Sequence, residues 1–176
     1  GLQDAKIDYD LKFVCFKKKN WIGNGKLIPS GPLREKVENL KNYDVVFLNG
    51  INENSDDIKK IIYKFNTKIE IFDTNYEIQN LDELDINSNY LIFSGIGDPK
   101  SFKEILLENN IKVVKEIIFP DHYNFKKNDI KNIFEESNKL NAKILTTEKD
   151  FTRLSDDDAK RINFLKIKLK IINEKK

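Results

Sequence analysis

The residue with the most chemistry to offer is the one histidine, His122, in the run Phe119-Pro120-Asp121-His122-Tyr123. An imidazole exchanges protons near neutrality, and beside an Asp it can accept a proton from a hydroxyl. A lone His also serves structure. This one is flanked by polar residues and a Pro-fixed turn, not set on an apolar face. As the sole His it cannot build a multi-His metal site, and the single Cys15 excludes a disulfide framework and a Cys-based zinc site. No metal ligand set is expected in this chain.

Four other segments carry candidate groups. Trp21 to Glu35 holds three of the seven Gly and two of the four Pro. Its Gly23-Asn24-Gly25-Lys26 lacks the G-x-x-x-x-G-K-[ST] pattern of a phosphate loop, because Leu27 stands where a hydroxyl must meet Mg²⁺. We read it as a turn that uses Gly and Asn for positive φ. Pro32 suits the first turn of a helix, which would put Arg34 and Glu35 at an anion-favouring N-terminus; a plain surface ion pair is the other reading. Asn49-Gly50 closes a strand, either as a simple turn or as a ligand contact beyond a carboxyl end. Ser94-Gly95-Ile96-Gly97-Asp98-Pro99 has two glycines that permit close backbone approach, an N-cap Asp98 and a first-turn Pro99, but no third Gly for a dinucleotide fingerprint. Thr147 and Asp150 have capping-box spacing, with Lys149 between them within reach of a phosphate.

These segments need elements to place them. Short apolar runs read as buried strands: Phe13 to Phe16, Val45 to Leu48, Ile69 to Phe72, Tyr90 to Phe93, Val113 to Phe119 and Ile144 to Thr146. Helical spacing links Ile58, Ile61, Ile62 and Phe65, then Phe102, Ile105 and Leu106, then Ile130, Ile133, Phe134 and Leu140. Continuous apolar strands between amphipathic helices predict an α/β fold, a mostly parallel sheet with helices on both faces. Leu165, Ile167, Leu169 and Ile171 alternate with lysines, which fits either an edge strand or a membrane-facing strip; we read the former. Ile51 to Asp57 and Asn75 to Asn89 read as solvated loops or short helices.

Composition narrows the classes. The chain has 176 residues, with 31 Lys plus Arg against 29 Asp plus Glu, a net charge of +2. That balance is wrong for a dedicated nucleic-acid binder, and no nucleic acid is expected as partner. With 12 Phe and 6 Tyr the chain has ample material for a core. Its longest apolar runs span about five residues, against the ~20 of a membrane-crossing helix. There is no Met and the first residue is Gly1, so we expect a piece of a longer protein.

Taken in series, Gly1-Leu2-Gln3, Gly-Asn-Gly…Pro-Ser-Gly-Pro-Leu-Arg-Glu, Asn49-Gly50, Phe-Ser-Gly-Ile-Gly-Asp-Pro, Phe-Pro-Asp-His and Thr-Thr-Glu-Lys-Asp closely resemble the carboxyl-terminal half of the tetraacyldisaccharide 4′-kinase family. The resemblance covers essentially the whole chain. It implies a Rossmann-like half of a P-loop-kinase-related enzyme that itself lacks the P-loop. Residues 1–50 would be the end of the kinase core and hinge, and 51–176 the carboxyl-terminal lobe, one compact unit here. The implied reaction moves the γ-phosphate of ATP, with Mg²⁺, to the 4′-hydroxyl of an acylated disaccharide 1-phosphate. Its implied place is the cytoplasmic face of the inner membrane of Gram-negative bacteria, with that membrane surface as a partner of the full protein.

By position, His122 resembles the family histidine that pairs with a catalytic Asp to activate the sugar hydroxyl. Gln3, Arg34, Glu35 and Asn49 match polar positions lining the cleft: Arg34 toward phosphate charge, Gln3 and Asn49 toward nucleotide or sugar. Ser94, Gly95 and Gly97 would shape the adjacent loop, and Asp121 would hold the turn presenting His122. The resemblance places the phosphate loop and most ATP and Mg²⁺ contacts upstream of Gly1, so this piece alone is expected to be inactive. The competing expectation is a stand-alone Rossmann-like module that binds a phosphate or nucleotide without catalysis.

Overall fold

The structure, a computed structural model, describes residues 7–50 and 55–172. Gln3, with the Gly1-Leu2-Gln3 motif, and the loop expected at 51–54 lie outside the described residues. The chain divides into two compact units, one of residues 1–77 with 169–176 and one of residues 78–168.

The first unit is built on a sheet of order β1-β2-β3-β8, from β1 (Phe13–Lys17), β2 (Val45–Asn49), β3 (Glu70–Ile78) and β8 (Ile167–Ile171). β1, β2 and β3 run parallel. Val46 and Leu48 alternate onto one face of β2 and are fully buried. There they meet Ile58, Ile62 and Phe65 of α1 (Asp56–Phe65) and Leu40 of a 3₁₀ helix (Val37–Asn42). The i, i+4, i+7 spacing of the three α1 residues makes this one helix face. On the other face the Phe47 ring contacts Phe13 edge-on at 5.8 Å and stacks on Phe72 at 5.7 Å.

The second unit has a parallel sheet of order β5-β4-β6-β7, from β4 (Asn89–Ser94), β5 (Lys112–Ile118), β6 (Lys143–Thr147) and β7 (Asn163–Leu165). Central β4 is buried on both sides, as its unbroken apolar run requires. Tyr90 and Ile92 face Phe102 and Leu106 of α2 (Pro99–Glu108), while Leu91 and Phe93 face Ile130 and Ile133 of α3 (Lys127–Lys139). Each such side chain contributes about 1.5–3 kcal/mol. Two short helices, α4 (Glu148–Phe151) and α5 (Asp156–Ala159), join β6 to β7. Asp98 caps α2 by accepting the Ser101 N–H at 3.2 Å, with Pro99 as the first helical residue, as the sequence predicts.

The α/β class with parallel strands stands, but the strands form two sheets instead of one. The division expected between residues 50 and 51 is corrected too. β2 and β3, on either side of it, pair from Val45↔Glu70 to Asn49↔Thr74, so one sheet holds both. The chain passes between units at 77/78 and 168/169. Asn75 to Ile78 belong to β3, not to a loop. The alternating stretch from Leu165 splits into β7 and β8, each at a sheet edge. The break is fixed at Lys166, whose N–H donates to Asn80 Oδ1 at 2.9 Å while Asn80 Nδ2 donates to Phe164 O at 2.9 Å. Among the described residues no helix is long and apolar enough to cross a membrane.

Glu136 of α3 accepts hydrogen bonds from Lys115 at 2.6 Å and Lys139 at 2.7 Å. These bonds, with the charges behind them, hold its carboxyl down to about 2, from an ordinary 4.5. A carboxyl depressed on folding stabilises fully above its unfolded pKa, and that contribution is lost as pH falls through the folded one. Urea midpoints should therefore fall between pH 4.5 and about 2 more steeply for the native chain than for Glu136→Gln. Parallel profiles would show the three-residue cluster to be energetically silent.

Candidate functional site

In the second unit the carboxyl ends of β4, β5 and β6 converge. Ser94 ends β4, and the Gly95 N–H donates to Asp150 Oδ2 at 2.9 Å. After β5, the Phe119 N–H donates to Ser94 O at 2.8 Å, and Pro120 turns the chain. The His122 N–H is shared between Gly95 O and Asp121 Oδ1, both at 3.0 Å. Asp121 thus holds the turn, as expected. His122 sits at φ +60, a left-handed conformation rare for a side-chain-bearing residue. Behind it Tyr123 stacks on Phe119 at 5.0 Å, and its hydroxyl donates to Asp129 at 3.1 Å, which pins the loop. A Cβ on Gly95 would come within 3.3 Å of Pro120 O and 3.4 Å of Asp150 Oδ1. A side chain there would push these strand ends apart by a few tenths of an ångström.

Asp150 is the anchor. It is fully buried and accepts from Gly95, from the Thr147 hydroxyl at 2.8 Å and from Arg153 Nη1 at 3.4 Å. Thr147 in turn caps α4 by accepting the Asp150 N–H at 3.1 Å, the predicted capping arrangement. Arg153 Nη2 lies 3.2 Å from His122 Nδ1, and Lys149 Nζ lies 3.5 Å from Nε2. The imidazole itself is exposed. A solvent-facing ring with positive charge near each nitrogen suits hydrogen bonding to an anionic or hydroxyl-bearing ligand.

In the first unit Arg34 and Glu35 line a cavity of about 410 Å³ with Lys17, Trp21, Lys36 and Tyr43. The helix expected at Pro32 does not form. Leu33 instead bridges Leu27, and the 3₁₀ helix starts only at Val37. The reason is local: the Leu27 to Leu33 loop closes on itself, with the Ile28 N–H donating to Leu33 O at 2.8 Å and the Leu33 N–H to Lys26 O at 3.2 Å. Gly31 lies so deep in it that a Cβ would overlap Asn24 Oδ1 and the Lys26 carbonyl. Arg34 and Glu35 are therefore placed by a loop, not by a helix N-terminus. Nor do they form the alternative ion pair. Glu35 accepts from Asn39 at 3.0 Å and the Tyr43 hydroxyl at 3.2 Å, and exposed Arg34 makes no hydrogen bond or ion pair with a described residue. Burial first, then the Glu35 charge, raises the Tyr43 phenol above its ordinary value. The Trp21 indole N–H, also at this cavity, is buried without a partner among the described residues.

The amides of the Gly-Asn-Gly stretch do not form a phosphate cradle. The Gly23 N–H donates to Asn20 O, that of Gly25 to Ile22 O, and that of Lys26 to Asn24 Oδ1. The turn reading holds, and this loop does not fit ATP phosphates. Among the described residues no group of three or more His, Cys, Asp or Glu is placed to hold a metal ion.

Asn49 ends β2, and its Oδ1 is buried without a partner among the described residues. Its carbonyl accepts the Lys18 N–H at 2.8 Å. Beside it Asp73 pairs with Lys18 at 2.9 Å and Lys59 at 2.5 Å. Burial pushes the Asp73 carboxyl up, but the two lysines outweigh it and hold the group below its ordinary value. Sequence reasoning missed Lys18, Lys59 and Asp73, and also Arg153 as a partner of His122 and Asp150 as the anchor of Arg153. For Arg153 a signal existed: it follows Asp150 by three residues, a spacing that brings a carboxylate and a cation together within one turn of chain. Lys18, Lys59 and Asp73 come from three separate elements, and no spacing announces them.

The family model for tetraacyldisaccharide-1-P 4′-kinase matches residues 1–176. The chain belongs to this family. A tetraacyldisaccharide 4′-kinase of Pelagibacter ubique (strain HTCC1062) is 48% identical over 175 residues, covering 99% of this chain and 56% of the relative. One from Rickettsia bellii (strain OSU 85-389) is 35% identical over 173 residues, covering 98% and 52%. Among solved structures, an "apo" form LpxK from Aquifex aeolicus in complex with ATP matches with a TM-score of 0.60 and 26% identity, over 97% of this chain and 51% of that one. The chain spans about half the length of the curated relatives it matches.

Proposed function

We propose that this chain is the carboxyl-terminal part of a kinase that transfers the ATP γ-phosphate to the 4′-hydroxyl of a tetraacyldisaccharide 1-phosphate. The observation that carries this reading is the family match along all 176 residues. His122 assists activation of the acceptor hydroxyl. Its support is the built platform beneath an exposed ring at the carboxyl end of a parallel sheet, where α/β proteins place ligands. Arg34, with no ion pair to a described residue, serves phosphate charge. Glu35, oriented by Asn39 and Tyr43, and Asn49, with its unsatisfied amide oxygen, bind substrate polar groups, as does Gln3. The enzyme works at the cytoplasmic face of the inner membrane. ATP and Mg²⁺ are held mainly by parts of the protein other than this chain, whose own glycine loop does not fit phosphates.

The full-length protein, given radiolabelled ATP, Mg²⁺ and tetraacyldisaccharide 1-phosphate, should label the 4′ position, while residues 1–176 alone should not turn over ATP. Absence of transfer by the full-length protein would sink the reading, as would turnover by the isolated chain.

A further inference from the structure

A neutral imidazole has one N–H donor and one acceptor nitrogen, and the groups around the ring select between the two tautomers. Here the neighbours decide. Arg153 Nη2 stands 3.2 Å from Nδ1. A guanidinium carries only donors and keeps its charge in proteins. The nitrogen it addresses must therefore offer a lone pair, which sends the ring proton to Nε2. Lys149, 3.5 Å from Nε2, argues for the reverse, because an ammonium is also donor-only. Both cannot be served by a neutral ring. The Lys149 distance lies beyond the usual hydrogen-bond range and the Arg153 distance lies within it. Arg153 is also the better-fixed donor. Its side chain is 22% exposed against 47% for Lys149, and its other nitrogen forms a 3.4 Å ion pair with the fully buried Asp150, a charge attraction that Lys149 has only with half-exposed Asp121 at 3.7 Å. Lys149 has a second attraction in Asp121 Oδ1 at 3.7 Å, and the other Asp121 oxygen lies 3.9 Å from Nε2, as an N–H there would favour.

We propose that Arg153 is a positioning residue that fixes His122 as the Nε2–H tautomer. The buried Asp150 carboxylate holds the guanidinium, the guanidinium occupies Nδ1, and Nε2 faces outward as a hydrogen-bond donor. This deepens the kinase reading and rests on it for its consequence: His122 acts by donating from Nε2 to an acceptor, not by taking a proton there. No bond is made or broken on the ring.

The test is a two-bond nitrogen–proton correlation spectrum of the full-length protein carrying nitrogen-15 histidine, in buffer alkaline enough to leave the ring neutral. The His122 signals are assigned by their loss in His122→Asn. The wild type should show a protonated Nε2 and a bare Nδ1. Arg153→Met should move Nδ1 toward a tautomer mixture, Arg153→Lys should restore the wild-type pattern in part, and Lys149→Met should leave it unchanged. A protonated Nδ1 in the wild type overturns the proposal, without reliance on any variant folding. So does an Arg153→Met spectrum identical to wild type. The spectrum needs neither ATP nor acceptor, so it stands or falls apart from the transfer assay that decides the kinase reading.

Discussion

His122→Ala in the full-length protein is expected to lower kcat by about 10²-fold or more, the usual scale for a lost hydrogen-bond donor that acts in the transition state. The ring sits on a platform made by three strand ends, and among the described residues nothing else at that platform offers a group of similar chemistry. Arg153 is spent on Nδ1 and on Asp150, and Lys149 is drawn to Asp121. Asp121 is engaged by the His122 N–H at 3.0 Å. KM for the acceptor should change far less than kcat, since an interaction realised in the transition state is the one removed. Alanine also strains the left-handed backbone at this position. His122→Asn is the better control, because Asn tolerates that conformation while its amide is too short to replace the imidazole. Steady-state phosphoryl transfer for both variants is the measurement. A rate within about 3-fold of wild type in His122→Asn would remove the imidazole from the mechanism, that loss being well under the scale of a lost transition-state donor.

The second large effect is on stability. Asp150→Ala removes a fully buried carboxylate and strands three donors at once: the Gly95 amide, the Thr147 hydroxyl and the Arg153 guanidinium. Breaking a buried charge pair by deleting one partner costs about 3–5 kcal/mol. Asp150→Asn keeps one carbonyl oxygen for Gly95 and should cost less than alanine. Hydrogen exchange at the Gly95 amide reports the junction directly, and Asp150→Ala should accelerate it strongly. Protection unchanged from wild type would show that the carboxylate does not anchor the junction. Lost anchorage would also release Arg153, so the alanine variant should disturb the His122 nitrogen signals as Arg153→Met does.

Much of this was legible in the sequence because the signals were local. The Tyr90 to Phe93 run is unbroken because helices cover both sides of β4. Asp98-Pro99 and Thr147…Asp150 marked helix starts through side-chain hydrogen bonds spanning three residues. His122 stood out as a single residue type after a strand. What failed was long-range or collective. The helix foreseen at Pro32 lost to a loop that satisfies its own backbone between Lys26 and Leu33. One sheet became two because Asn80, 86 residues from Lys166 and 84 from Phe164, pins the break between β7 and β8. Pairings at such separations leave no periodicity to read. The Asp150–Arg153–His122 chain was half visible, since the Asp-to-Arg step is local and the step to the ring, 31 residues back, is not.

The positive φ at His122 sets evolution two goals that pull apart. Glycine would sit there without steric penalty, and a library of this protein sorted by heat survival alone should drift toward glycine at that codon. Under the kinase reading such survivors would be sturdier and inert, so thermal hardening of this molecule has to be screened with turnover in the same round.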